Sequence, residues 1–292
     1  MRLAAIDIGS NAARLLISEV VTDEIKAPVF NKLNLFRIPL RLGFDVFETG
    51  AISKQKTGML LQTMKAFKHL MNVYEVKNSI ACATSAMRDA KNADDIIRKV
   101  KLETDIQVKV ISGDFEAELL FENHIAETLD KDHSYMYIDV GGGSTELTFF
   151  SNGSLLFRES FNIGTIRLLQ GAVLEKTWEV MREIIKTITK EQKEVVAIGS
   201  GGNINKVFAM SKTKEGKPLS LELIKDYYKE LNSVSLEERK RLYNLKDDRA
   251  DVIVPALLIY NNAMRWAGAK EIYVPKIGLA DGLIQYLWKN MK

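Results

Sequence analysis

The chain has 292 residues, 46% of them hydrophobic and 27% charged, with a net charge of +3. That is the composition of a globular protein of one large or two ordinary domains, and it points to neither a nucleic-acid nor a membrane partner. The lone cysteine, Cys82, excludes an internal disulfide framework. The first apolar run reaches Asp7 too soon for a signal-peptide core, so the expected location is cytoplasmic.

In chain order, the pattern predicts strands over 3–8 and 14–21, joined by the turn Gly9-Ser10-Asn11. A helix follows from Ser53 to Asn72, with Ser53 as N-cap and Met59, Leu60, Met64, Phe67 and Leu70 at helical spacing. A strand over 79–83, a helix over 92–100 capped by Asn92, and a strand over 108–111 come next. Ser112-Gly113 opens a helix expected to run to about Leu129. The second half restarts with a strand over 135–140 that ends in a glycine turn. A hairpin follows, 146–150 with 154–161, around Asn152-Gly153. Helices are expected over 177–189, 203–210, 220–231, 235–243 and 248–266, with Ser220 and Ser235 as caps. Short strands over 195–198 and 271–274 and a helix from Leu279 complete an α/β pattern.

Ile6-Asp7-Ile8-Gly9-Ser10-Asn11-Ala12-Ala13-Arg14-Leu15 aligns with Ile138-Asp139-Val140-Gly141-Gly142-Gly143-Ser144-Thr145-Glu146-Leu147 at a constant offset of 132. Each copy is an apolar strand, an Asp, a glycine-bearing turn and a second strand. We read an internal duplication, with domains over 1–129 and 130–292 and the last helix able to pack back on the first.

A tight turn between strands presents consecutive backbone N–H groups, a nest suited to phosphate oxygens, and glycine lets the ligand approach closely. Gly9, Ser10 and Asn11 in one copy, and Gly141, Gly142, Gly143, Ser144 and Thr145 in the other, are therefore candidate phosphate binders. Asp7 and Asp139 end their strands where they can hold Mg²⁺ or its waters. Gly199-Ser200-Gly201-Gly202 is a third candidate anion site or a packing turn. Glu116, on a helical face with Leu119 and Leu120, is expected to point inward and is a candidate general base; the competing reading is a first-turn acid that offsets the helix dipole. Arg88 follows a run of small and hydroxyl residues and suits phosphate. No Walker loop, dinucleotide fingerprint, nucleophile elbow or histidine metal spacing occurs.

Together these stretches resemble the exopolyphosphatase/guanosine pentaphosphate phosphohydrolase (Ppx/GppA) family. The matching segments are 6–16 (IDIGSNAARLL), 41–43 (RLG), 83–90 (ATSAMRDA), 111–120 (ISGDFEAELL) and 138–147 (IDVGGGSTEL). Further matches are 163–168 (IGTIRL), 199–204 (GSGGNI), 249–255 (RADVIVP) and 278–283 (GLADGL), in the family's order. The resemblance implies two tandem ribonuclease-H-like domains of the sugar-kinase/Hsp70/actin group with an interdomain cleft. It implies Mg²⁺-dependent removal of terminal phosphate from polyphosphate or pppGpp. Glu116 would be the catalytic base, Asp139 and Glu146 the metal-linked acids, and Arg88 the phosphate-contacting arginine. A homodimer is implied as well. Ala12, Phe115, Glu118, Asn203 and Ala280 depart from the family pattern, which favours short chains or nucleotides over long polyphosphate. A non-catalytic polyphosphate or pppGpp sensor, and an ATPase or kinase of the same fold group, are the alternatives.

Overall fold

The computed structural model describes residues 1–22, 27–121, 133–192 and 194–291, without the side chains of 120 and 121. The chain divides into two compact units, Met1–Asn123 with Leu279–Lys292, and His124–Gly278. The expected division at 129/130 and the expected helix beyond 121 lie outside the described residues.

In the first unit, β1 (Arg2–Ile8), β2 (Ala13–Val21) and β3 (Val29–Ile38) form an antiparallel meander. β4 (Asn78–Ala83) and β5 (Val108–Val110) extend it in parallel from β1, giving the order β3-β2-β1-β4-β5. β1 reads as a continuous apolar run because both faces of this sheet are covered. Ala4, Ile6, Ile8, Leu15 and Ile17 pack with Leu60, Met64, Phe67, Ile96 and Val100. On the other face Leu3, Ala5, Leu16 and Cys82 pack with Leu119 and with Leu279, Leu283 and Ile284 of the last helix, Leu279–Lys289. Phe115 meets Tyr286 edge-on. Gly282 makes this close approach feasible, since a Cβ there would lie 2.1 Å from the Leu119 carbonyl oxygen.

The second unit repeats the plan. β6 (Ser134–Val140), β7 (Thr145–Ser151) and β8 (Ser154–Phe161) form the meander. β9 (Val195–Ser200) and β11 (Glu271–Tyr273) run parallel to β6, and β10 (Leu219–Ser220) closes the edge, in the order β10-β11-β9-β6-β7-β8. Asn152 and Gly153 both have positive φ, 51° and 73°, as a two-residue hairpin turn of this hand requires.

The 132-residue offset holds well below the level of sequence. The Gly9 N–H donates to the Ala12 carbonyl (3.0 Å) and the Gly141 N–H to the Ser144 carbonyl (2.9 Å). Both hairpins carry a bulge at the same place, between Ile17 and Ser18 in one and between Phe149 and Phe150 in the other.

Several expectations are corrected. The expected helix over 248–266 is two, Asp247–Ala250 and Ile253–Ala267. Pro255, which lacks an N–H and clashes with a preceding turn, fits only near the start of the second. Asn92 stands at a helix start, but its amide grips both backbone groups of Ile52 (3.0 and 2.8 Å) instead of capping. At the start of the helix Gly113–Phe121, Ser112 Oγ accepts from the Phe115 N–H at 3.2 Å. Ser53, Ser220 and Ser235 cap as expected.

Candidate functional site

In the first unit, the Gly9–Ala12 turn is held from behind. The Ser10 and Asn11 carbonyls accept from the N–H groups of Gly43 and Arg41, both at 2.9 Å. The Ser10 hydroxyl is buried. It pairs with the Ser85 hydroxyl (2.8 Å) and accepts from the Ala86 N–H (3.1 Å), which ties the turn to the helix Ser85–Asp89. That helix carries Arg88. One Arg88 nitrogen donates to the Ile111 carbonyl (2.7 Å) and stands 3.8 Å from Glu116 Oε2. Glu116 is buried, in the first turn of its helix, so it points inward as expected. Asp7 is in contact with Arg14 at 2.5 Å. The neighbouring Cys82 thiol is pushed up to about 12, chiefly by burial and secondarily by the Asp7 carboxylate.

In the second unit, the equivalent turn is tied down more completely. The Thr165 N–H donates to the Gly141 carbonyl (3.0 Å), the Ile166 and Arg167 N–H groups to that of Gly142 (2.8 and 3.2 Å), and Arg167 Nε to that of Gly143 (2.8 Å). With those carbonyls engaged by 165–167, the N–H groups of Gly142, Gly143 and Ser144 take no hydrogen-bond acceptor among the described residues. Gly164 is what allows this packing, because a Cβ there would lie 2.4 Å from the Gly143 carbonyl carbon. Thr145 donates its hydroxyl to the Ile163 carbonyl (2.6 Å).

Asp139 and Glu146 face one another across β6 and β7, with carboxylate oxygens within 4.8 Å. Directly opposed side chains of an antiparallel pair share a face, and like charges there repel unless a cation lies between them. Glu146 Oε1 accepts from the Ser144 hydroxyl (2.6 Å) and the Ser160 hydroxyl (2.8 Å), which fixes its rotamer. Two carboxylates set this close could hold a metal ion. Gly201 (φ 104°) leaves room beside them, since a Cβ there would be 3.0 Å from Asp139 Oδ1. Tyr260, fully enclosed, donates to the Ser200 carbonyl; burial first and the Asp139 charge second push its hydroxyl far above the ordinary range. In the third glycine turn, the Arg249 guanidinium lies over Gly202 and reaches Asn203 Oδ1 at 3.4 Å.

Sequence reasoning did not single out Ser160, Arg167, Gly164 or Tyr260. Ser160 was hidden by the hairpin bulge. Unbulged pairing from Ser151–Ser154 would set Glu159 opposite Glu146; the extra residue, Leu156, brings Ser160 there instead.

The family model for the Ppx/GppA phosphatase family matches residues 23–290. A bifunctional 3-dehydroquinate synthase/phosphatase of Fusobacterium nucleatum is 35% identical over 175 residues, covering 57% of this chain and 26% of that protein. A guanosine-5'-triphosphate,3'-diphosphate pyrophosphatase of Pseudoalteromonas translucida is 25% identical, covering 97% of this chain and 57% of that protein. This chain thus spans about a quarter of the first relative's length and little more than half of the second's. The crystal structure of an exopolyphosphatase from Cytophaga hutchinsonii superposes with a TM-score of 0.85 at 25% identity, covering 100% of this chain and 99% of that one. Given the match of the family model over nearly the whole chain, this protein belongs to the Ppx/GppA phosphatase family.

Proposed function

We propose that the chain is a metal-dependent hydrolase that removes the terminal phosphate of inorganic polyphosphate or of guanosine pentaphosphate. The observation that carries the reading is the second-unit turn. Its unengaged N–H groups at Gly142, Gly143 and Ser144 adjoin the opposed Asp139–Glu146 pair. Its similarity to an exopolyphosphatase and to a guanosine-5'-triphosphate,3'-diphosphate pyrophosphatase supports the substrate class.

In this reading, Asp139 and Glu146 would hold Mg²⁺, which neutralises charge on the phosphoryl oxygens when bound. The turn N–H groups of both copies hold phosphate oxygens and stabilise the charge that develops on them. Glu116 accepts a proton from water as its oxygen attacks the terminal phosphorus. The bond from phosphorus to the bridging oxygen breaks, and orthophosphate leaves. Arg88, held against Glu116 and the Ile111 carbonyl, orients the carboxylate and faces phosphate. The enzyme is read as a cytoplasmic homodimer, which sedimentation of the purified protein checks.

The test is phosphate release from short polyphosphate and pppGpp with Mg²⁺, with EDTA, and in Asp139→Asn. Release is expected that EDTA abolishes and Asp139→Asn lowers by about 10²-fold or more. Full activity in EDTA would refute metal dependence.

A further inference from the structure

We infer that the duplicated turn of the first unit is a metal-free copy, in which Arg14 is a built-in cation standing where the second unit presents a metal-binding acid. The inference rests on the metal reading of Asp139 and Glu146 given above. At the 132-residue offset, Asp7 corresponds to Asp139 and Arg14 to Glu146. Both pairs are directly opposed in register on the first two strands of their sheets, so each pair shares a face. The turns that follow them close with the same hydrogen bond, and the downstream bulges match. The backbone is therefore equivalent at these positions, and the difference is one side chain of opposite charge.

The chemistry of the two pairs diverges accordingly. Asp139 and Glu146 bring two negative charges together, with oxygens within 4.8 Å. Asp7 has its charge met by the Arg14 guanidinium at 2.5 Å, inside the protein, with only 3% of its side chain exposed. A divalent ion approaching Asp7 would have to displace a charge-assisted hydrogen bond and sit against a fixed positive charge. It would gain one carboxylate where the second turn offers two. Arg14 is thus a positioning residue that sets metal stoichiometry: the acid-bound ion goes to the second copy alone, and the first copy handles anions with a permanent cation. The duplication has become a division of labour, with Arg14 in place of an acid at its centre.

The test is Mn²⁺ titration of the full chain, followed by electron paramagnetic resonance and calorimetry in the absence of substrate. Wild type is expected to take up one ion. Asp139→Asn should lose it, and Asp7→Asn should keep the stoichiometry and hold the dissociation constant within about twofold. Arg14→Glu, which recreates the acid pair, should take up a second ion. Arg14→Gln serves where the Glu variant does not fold, and it should bind the second ion more weakly. A tenfold or greater loss of Mn²⁺ affinity in Asp7→Asn would overturn the inference. So would two ions on wild type with one lost in Asp7→Asn. A wild-type chain that takes up no Mn²⁺ overturns the metal reading itself, and the inference with it; that outcome differs from both of the others.

Discussion

At the scale of single residues, the candidate site is a matter of who holds whom. Glu146 is fixed by two hydroxyls, from Ser144 and Ser160. Ser160→Ala removes one of them. Outer partners of metal-linked carboxylates typically tune affinity by about 10- to 100-fold. The Mg²⁺ concentration for half-maximal phosphate release should rise by about tenfold, as a metal titration of the variant would show. Gly164 lies under the turn, and its substitution has a definite geometric cost. In Gly164→Ala the new methyl would fall 2.4 Å from Gly143 and 2.5 Å from Gly142. The expected result is a loss of about 1–3 kcal/mol in denaturant unfolding and a raised KM, because the turn must move. Cys82 marks the opposite case. Its thiol is buried and pushed up to about 12, so the thiolate is scarce at neutral pH. The intact protein should resist maleimide at pH 7.5 and react only after unfolding.

At the scale of elements, what the sequence made legible was what local physics decides. Ser53, Ser220 and Ser235 cap their helices because a β-region hydroxyl before an apolar period has one good use. The Asn152-Gly153 hairpin was readable for the same reason. Asn92 was not, since its amide is claimed by Ile52, a residue 40 positions away that no local pattern reveals. β3 escaped because its exposed, bulged edge position leaves no clean alternation to read. The same bulge logic hid Ser160. Inward-facing Glu116 was legible from its spacing to Leu119, whereas the Arg88 contact was not, since it depends on how two short helices meet. The capping box at Ser235 gives a clean check: Ser235→Ala should cost about 1 kcal/mol in thermal unfolding.

At the scale of the molecule, the duplication was legible in two ten-residue stretches and proves to extend to strand order, turn hydrogen bonds and bulges. The composition of the first unit was harder to read. Its second covering layer includes a helix from the far end of the chain, which buries Leu3, Ala5 and Cys82. Removing residues 279–292 should therefore uncover Cys82 and make it react with maleimide under native conditions. Continued protection would show that the helix is not what covers that face. Among the described residues, no helix is long and apolar enough to cross a membrane.

The central claim is hydrolysis at a phosphoanhydride with Glu116 as base, and one comparison tests it most directly. Inorganic phosphate release is measured with Mg²⁺ from short polyphosphate, long polyphosphate, pppGpp and ATP, on wild type and Glu116→Gln. Wild type is expected to release phosphate from polyphosphate or pppGpp, and the variant to lose about 10²-fold or more, with substrate binding retained. Near wild-type release by Glu116→Gln, or binding without any release by wild type, would contradict it.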